Sequence, residues 1–104
     1  MSETTILSPE NCRNMADVRA GVDATDIALV ALLARRFAYM DAAARIKDDR
    51  ESVRDEARKA QVIANAKAEA ERLGAPAATI EDIWEGLVEA SIAHEFARWD
   101  EMRR

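Results

Sequence analysis

Between Asn14 and about Arg50 the chain holds no proline and a single glycine, Gly21. One interior glycine weakens a helix without ending it. Val18, Val22, Leu29, Leu33, Met40 and Ala44 recur near helical spacing along this stretch. Asn14 stands where it can cap the first turn, with Asp17 three residues on in the capping-box position. The prediction is one helix of roughly 33–37 residues, about 50–55 Å long. That is too long for a compact single-chain bundle of 104 residues. Its ends are therefore expected to reach into a partner chain.

The rest of the chain reads as helix too. Only three Gly and two Pro occur, alanine is abundant, and aromatic and β-branched residues are sparse, which favours helix over strand. Residues 1–13 read as an N-terminal arm, with Pro9 set to open a short helical turn. Residues 14–104 read as one helical domain. The polar stretch KDDRES (47–52) predicts a break. Ser52 paired with Asp55 then predicts the cap of a second helix over about 53–73, with a thin apolar side that includes Val62, Ile63, Ala66 and Leu73. LGAPAAT (73–79) predicts a stop, with Gly74 ending that helix and Thr79 capping the next. A third helix is expected from about Ile80 to Met102. Its stripe is Ile80, Ile83, Trp84, Leu87, Ser91, Ile92, Glu95 and Trp99.

Charge and composition narrow the function. A net charge of −5 argues against general nucleic-acid binding, which needs a basic face. No run of 18 apolar residues suggests a membrane span. The start MSETTILSPENC lacks the basic and apolar regions of a signal peptide. The lone Cys12 cannot form an internal disulfide and is read as a spectator, which fits a cytoplasmic location. No Gly-rich phosphate loop, metal-ligand spacing or Ser-His-Asp arrangement is present, so neither a metal nor a cofactor is expected. His94, the single histidine, neighbours Glu95 in sequence, but adjacent helical residues diverge by about 100°, so it is read as a surface residue.

Three basic residues and one acid stand out. Arg36 and Lys47 are eleven residues apart. Eleven steps of about 100° pass three full turns by about 20°, so both cations lie on one face, roughly 16 Å apart. Met40, Ala43 and Ala44 lie near the same apolar line. Arg19 precedes Lys47 by 28 residues, about 42 Å along one helix, too far for both to touch one small ligand within a chain. Either Arg19 comes to an anion site from a second subunit, or these are solvated charges on a helical hairpin. Ser91 and Glu95, at i and i+4, interrupt the stripe of the third helix. Either Glu95 reaches solvent or an Arg at a helix edge, or it is buried and must be paired or protonated.

ADVRAGVDATDIALVALLARRFAYMDAAARIK (16–47) resembles the first helix of the all-helical chorismate mutases. In that pattern an Arg opens the helix, an acid follows seven residues later, then a double Arg, then a Lys eleven beyond the second Arg. Here those are Arg19, Asp26, Arg35-Arg36 and Lys47. PENCRNMADVR (9–19) and SIAHEFARW (91–99) look closer still to the related isochorismate-pyruvate lyases, which share the fold. The resemblance covers about residues 9–100.

It implies an all-α, three-helix subunit in an intertwined homodimer whose sites each take an Arg from the partner's first helix. By resemblance, Arg19 from the partner subunit and Arg36 would hold the carboxylates of a small dicarboxylate, chorismate or isochorismate. Lys47 would sit on the enolpyruvyl ether oxygen and one carboxylate. VRDEARKA (53–60) resembles the segment that contacts substrate, which puts Asp55 near the ring hydroxyl and Arg58 near a carboxylate. Ser91 would help bind the ring carboxylate. Two positions depart from the pattern. Lys59 stands where many bacterial mutases have Glu, and Glu95 where mutases and lyase commonly have Gln, although some fungal mutases have Glu.

The implied reaction is a mutase rearrangement of chorismate to prephenate through one cyclic transition state. Arg clamps would orient the substrate. Lys47 and Glu95 would stabilise charge growing on the ether oxygen. Glu95 can donate there only when protonated, so activity is expected to rise as pH falls from about 8 to 5. The alternative is the lyase reaction, giving salicylate and pyruvate from isochorismate; Asp55 is the residue that favours the mutase. A second alternative is a non-catalytic helical dimer with a degenerate site, because fold does not guarantee function.

Overall fold

The computed structural model describes residues 5–104. Residues 1–4 of the predicted arm lie outside that range. Among the described residues the protein is all-α, with three α-helices and no strand. A single 3₁₀ turn over Pro9–Asn11 precedes α1 (Met15–Ile46). A second, Arg50–Ser52, precedes α2 (Glu56–Leu73), and α3 (Ala77–Met102) completes the chain.

The start of α1 is local chemistry. Asn14 Oδ1 accepts from the Asp17 backbone N–H at 2.9 Å. Asp17 Oδ2 in turn accepts from the Arg13 N–H at 3.0 Å, so two orphan donors are satisfied reciprocally. The helix runs through Gly21 without interruption for 32 residues, ending at Ile46 rather than near Arg50.

Two expected caps are corrected. Ser52 ends the 3₁₀ turn instead of opening α2, and its N–H bonds the Asp49 carbonyl at 3.1 Å. Asp55 is the cap of α2, its carboxylate accepting from the Arg58 N–H at 3.0 Å. Nor does Thr79 cap α3. That helix already begins at Ala77, with Pro76 at the cap and its carbonyl accepting from the Ile80 N–H at 3.0 Å. Proline suits that place because the first N–H groups of a helix have no intrahelical partner to lose. Gly74 ends α2 as expected, at φ 73°, where an L side chain would be strained.

The chain divides into two units, one of residues up to Arg36 and one of Phe37–Arg104. In the second, α2 packs against α3. Its core is Val53, Val88 and Ile92, with Val62, Ile63, Trp84, Phe96 and Trp99 packed around them. Val53 and Val88 lie outside the predicted stripes, whereas Ile83 and Leu73, counted in them, are exposed. In the first unit the apolar side chains are largely exposed, among them Val22 at 51%, Leu29 at 49% and Ile27 at 74%. No helix among the described residues is long and apolar enough to cross a membrane.

Candidate active site

Two residues predicted for the site meet across the crossing of the end of α1 with α3. Lys47, one residue past α1, places its Nζ 2.7 Å from Glu95 Oε2. Glu95 is only 4% exposed. A buried carboxylate is costly unless paired, and here the pairing cation is the lysine that the spacing singled out. Of the two readings for Glu95, solvent access at a helix edge is therefore ruled out.

Ser91, one turn before Glu95, is also buried, and its Oγ donates to the Leu87 carbonyl at 2.7 Å. It faces the same side of α3 as Glu95 by helical spacing. A buried carboxylate and its paired ammonium thus share one locus, with the buried Ser91 hydroxyl one turn away on α3. Among the described residues, no three His, Cys, Asp or Glu side chains converge to hold a metal.

Asp55 and Arg58 form a separate pair at the exposed start of α2. Beyond its backbone bond to Asp55, Arg58 directs Nη1 to Gln61 Oε1 at 2.7 Å. Among the described residues, no hydrogen bond or ion pair joins either of them to Lys47 or Glu95. Arg19 is exposed and Arg36 half-buried on α1, both in the first unit.

Lys59 is not available as a stand-in for the Glu of the pattern. Its ammonium lies 2.7 Å from both Glu85 Oε1 and Glu89 Oε2 on α3. These bonds, Glu85 first, push its pKa above the ordinary lysine value. Arg54 joins the same network through Glu89 at 2.9 Å. The bonds from Arg54 and then Lys59 hold the Glu89 carboxyl down at about 2.

His94 is corrected from a surface residue to a half-buried one. Its Nε2 lies 2.7 Å from Asp41 Oδ1, its ring meets Phe37 edge-on at 5.0 Å, and Arg98 Nε reaches the same Asp41 oxygen at 3.2 Å.

The feature that sequence spacing alone missed lies behind Lys47. Trp99 Nε1 and Arg103 Nη2 both donate to the Lys47 carbonyl, at 3.0 and 2.7 Å. Glu95 and Trp99 on α3 and Arg103 at its C-terminal cap are spaced four apart, so one ladder serves both ends of Lys47. That periodicity was the available signal.

The family model for chorismate mutase type II matches residues 18–96, a span that contains Arg19, Arg36, Lys47, Asp55, Arg58, Ser91 and Glu95. The chain belongs to the chorismate mutase type II family. A Pseudomonas aeruginosa protein named isochorismate pyruvate lyase is 29% identical to it over 96 residues, covering 92% of this chain and 95% of that protein.

Proposed function

We propose that this protein is a chorismate mutase that rearranges chorismate to prephenate in a homodimer, without a cofactor. The observation that carries the reading is the Lys47–Glu95 pair at 2.7 Å, with Ser91 buried one turn away. The reaction has no covalent intermediate. It needs the diaxial conformer held and negative charge stabilised on the ether oxygen as the C–O bond breaks and the C–C bond forms. Arg36, with Arg19 from a partner subunit, holds the two carboxylates and restricts the conformer. Lys47 faces the ether oxygen, where a preorganised cation is worth far more than in water. Glu95 places Lys47. Ser91 binds the ring carboxylate, Arg58 a carboxylate and Asp55 the ring hydroxyl.

The homodimer is supported by the first half of α1. Val18, Val22, Ile27, Leu29, Val30 and Leu32 are exposed around that helix, and a helix apolar on several sides is a helix that is buried. A second chain is the cover that would also deliver Arg19.

A second reading, lyase action on isochorismate, is supported by the Pseudomonas relative, which matches over nearly its full length. The capping duty of Asp55 bears on the choice, because a carboxylate engaged with its own helix is a weaker determinant for the ring hydroxyl.

The test is incubation of purified protein with chorismate and, separately, isochorismate at pH 5 and pH 7.5, with Arg36→Ala and Lys47→Ala as controls. Prephenate is expected, and reduced by about 10²–10³ in Lys47→Ala, the usual cost of removing one oxyanion donor. Salicylate and pyruvate formed faster from isochorismate would make it a lyase. No product from a folded protein would leave a scaffold without the family's chemistry.

A further inference from the structure

Lys47 is held from α3 at both its side chain and its backbone. Its ammonium is paired to Glu95. Its carbonyl accepts from Trp99 Nε1 at 3.0 Å and Arg103 Nη2 at 2.7 Å. Arg103 also reaches back with Nη1 to the Ala44 carbonyl at 3.0 Å, and its guanidinium stacks 4.1 Å above the Trp99 ring. The last carbonyls of a helix have no intrahelical partner and carry its negative end. An arginine there is both donor and counter-charge. Bonds to those carbonyls alone would be an ordinary helix end. They mean more here because the residue so fixed is the one whose side chain enters the site, and because its three holders stand four apart along α3 and its C-terminal cap.

We propose that Arg103 and Trp99 are positioning residues for the Lys47 ammonium. They act through the Lys47 backbone and do not touch substrate. α1 ends at Ile46, so Lys47 lies at the point where the chain leaves the helix and turns through Asp48 and Asp49. Side-chain pairing to Glu95 fixes where the ammonium sits only if the Cα beneath it is also fixed. The stacked Trp99–Arg103 pair supplies that second point. A lysine has four rotatable side-chain bonds, and a displacement of about 1 Å at a catalytic group can cost about a hundredfold in rate. The catalytic consequence rests on the role given to Lys47 above; the positional claim does not.

The experiment therefore has two arms. In the first, the Lys47 ammonium is observed by NMR in lysine-labelled protein, assigned with Lys47→Gln, without any ligand. Ion pairing to Glu95 is expected to slow exchange of its protons with water. Arg103→Met is expected to speed that exchange several-fold, and Arg103→Lys to restore part of the protection. Unchanged exchange in a folded Arg103→Met protein overturns the proposal. If Arg103→Met fails to fold, Trp99→Phe, which removes only the indole N–H, takes its place.

In the second arm, kcat and KM are measured on whichever substrate the wild-type protein converts. Arg103→Met is expected to lower kcat by about tenfold or more, with a smaller change in KM, and to lose that effect when Lys47 is already Ala. An equal loss in both backgrounds would mark a merely structural role and overturn the proposal. A wild-type protein that converts neither substrate defeats the proposed function, while the first arm still decides the placement of Lys47.

Discussion

One apolar stripe on α1 meets two fates. At its far end Ala44 is completely buried, and Met40 is half-covered. At its near end Val18, Val22 and Leu29 are exposed on the same line of residues. Residue type does not explain the contrast, because large apolar side chains stand at both ends. What differs is cover. Phe37–Arg104 has α2 and α3 to pack with, and it makes its own core. The part up to Arg36 exposes side chains that each gain about 1.5–3 kcal/mol when fully buried. Those exposed side chains are what supports the proposed homodimer.

The largest effect should come from charging the exposed end. Val22→Lys with Leu29→Lys is expected to abolish a homodimer, visible as monomeric mass in sedimentation and as a melting temperature that no longer rises with protein concentration. Product formation should fall with it, since Arg19 would no longer arrive from a partner. A wild-type protein that is already monomeric, with a concentration-independent melt, would break the comparison outright. Next comes the covered region. Ile92→Ala should cost about 2–5 kcal/mol in denaturant unfolding through transfer and cavity terms, without altering oligomeric mass. A loss below about 1 kcal/mol would mean that the core around Val53, Val88 and Ile92 is looser than the packing suggests.

The smallest effect is electrostatic. Glu89 has its pKa lowered from 4.5 to about 2 by Arg54 and Lys59. A group depressed in this way contributes stability above the unfolded value and loses it as pH falls from about 4.5 through about 2. Glu89→Gln should therefore melt slightly below wild type at pH 7, and the two should converge near pH 2. Exposure of this network keeps the difference small. A gap that persists at pH 2 would mean that Glu89 acts by packing.

What the sequence made readable was local. Asn14 with Asp17, and Gly74, act within one turn of themselves, and both were placed correctly. Ser52 and Thr79 failed because each region held two residues able to open a helix. The winner was decided by a neighbouring element: the 3₁₀ turn that absorbs Ser52, and the proline that starts α3 three residues early. Ile83 and Val88 exchanged expected burial because α3 packs against α2 on one side and receives the end of α1 on another, a two-partner problem that a single stripe does not encode. Glu95 was visible as an anomaly, and its partner Lys47 as another. Their union 48 residues apart is tertiary information. Arg103 continues the four-residue spacing of Glu95 and Trp99, but what it bonds lies 56 residues away, which that spacing does not encode.

The pairing of Lys47 with Glu95 also has a meaning at long range. As an ion pair the two charges sum to zero. A dianion approaching from beyond the screening distance of about 8 Å at physiological ionic strength feels little pull from this lysine, in a protein whose net charge is −5. On the proposed function, Lys47 becomes electrically visible only once an anion is close enough to compete with Glu95. A site built on this pair would be quiet from afar and strongly charged at contact, which would shift discrimination among anions from the encounter to the final ångströms.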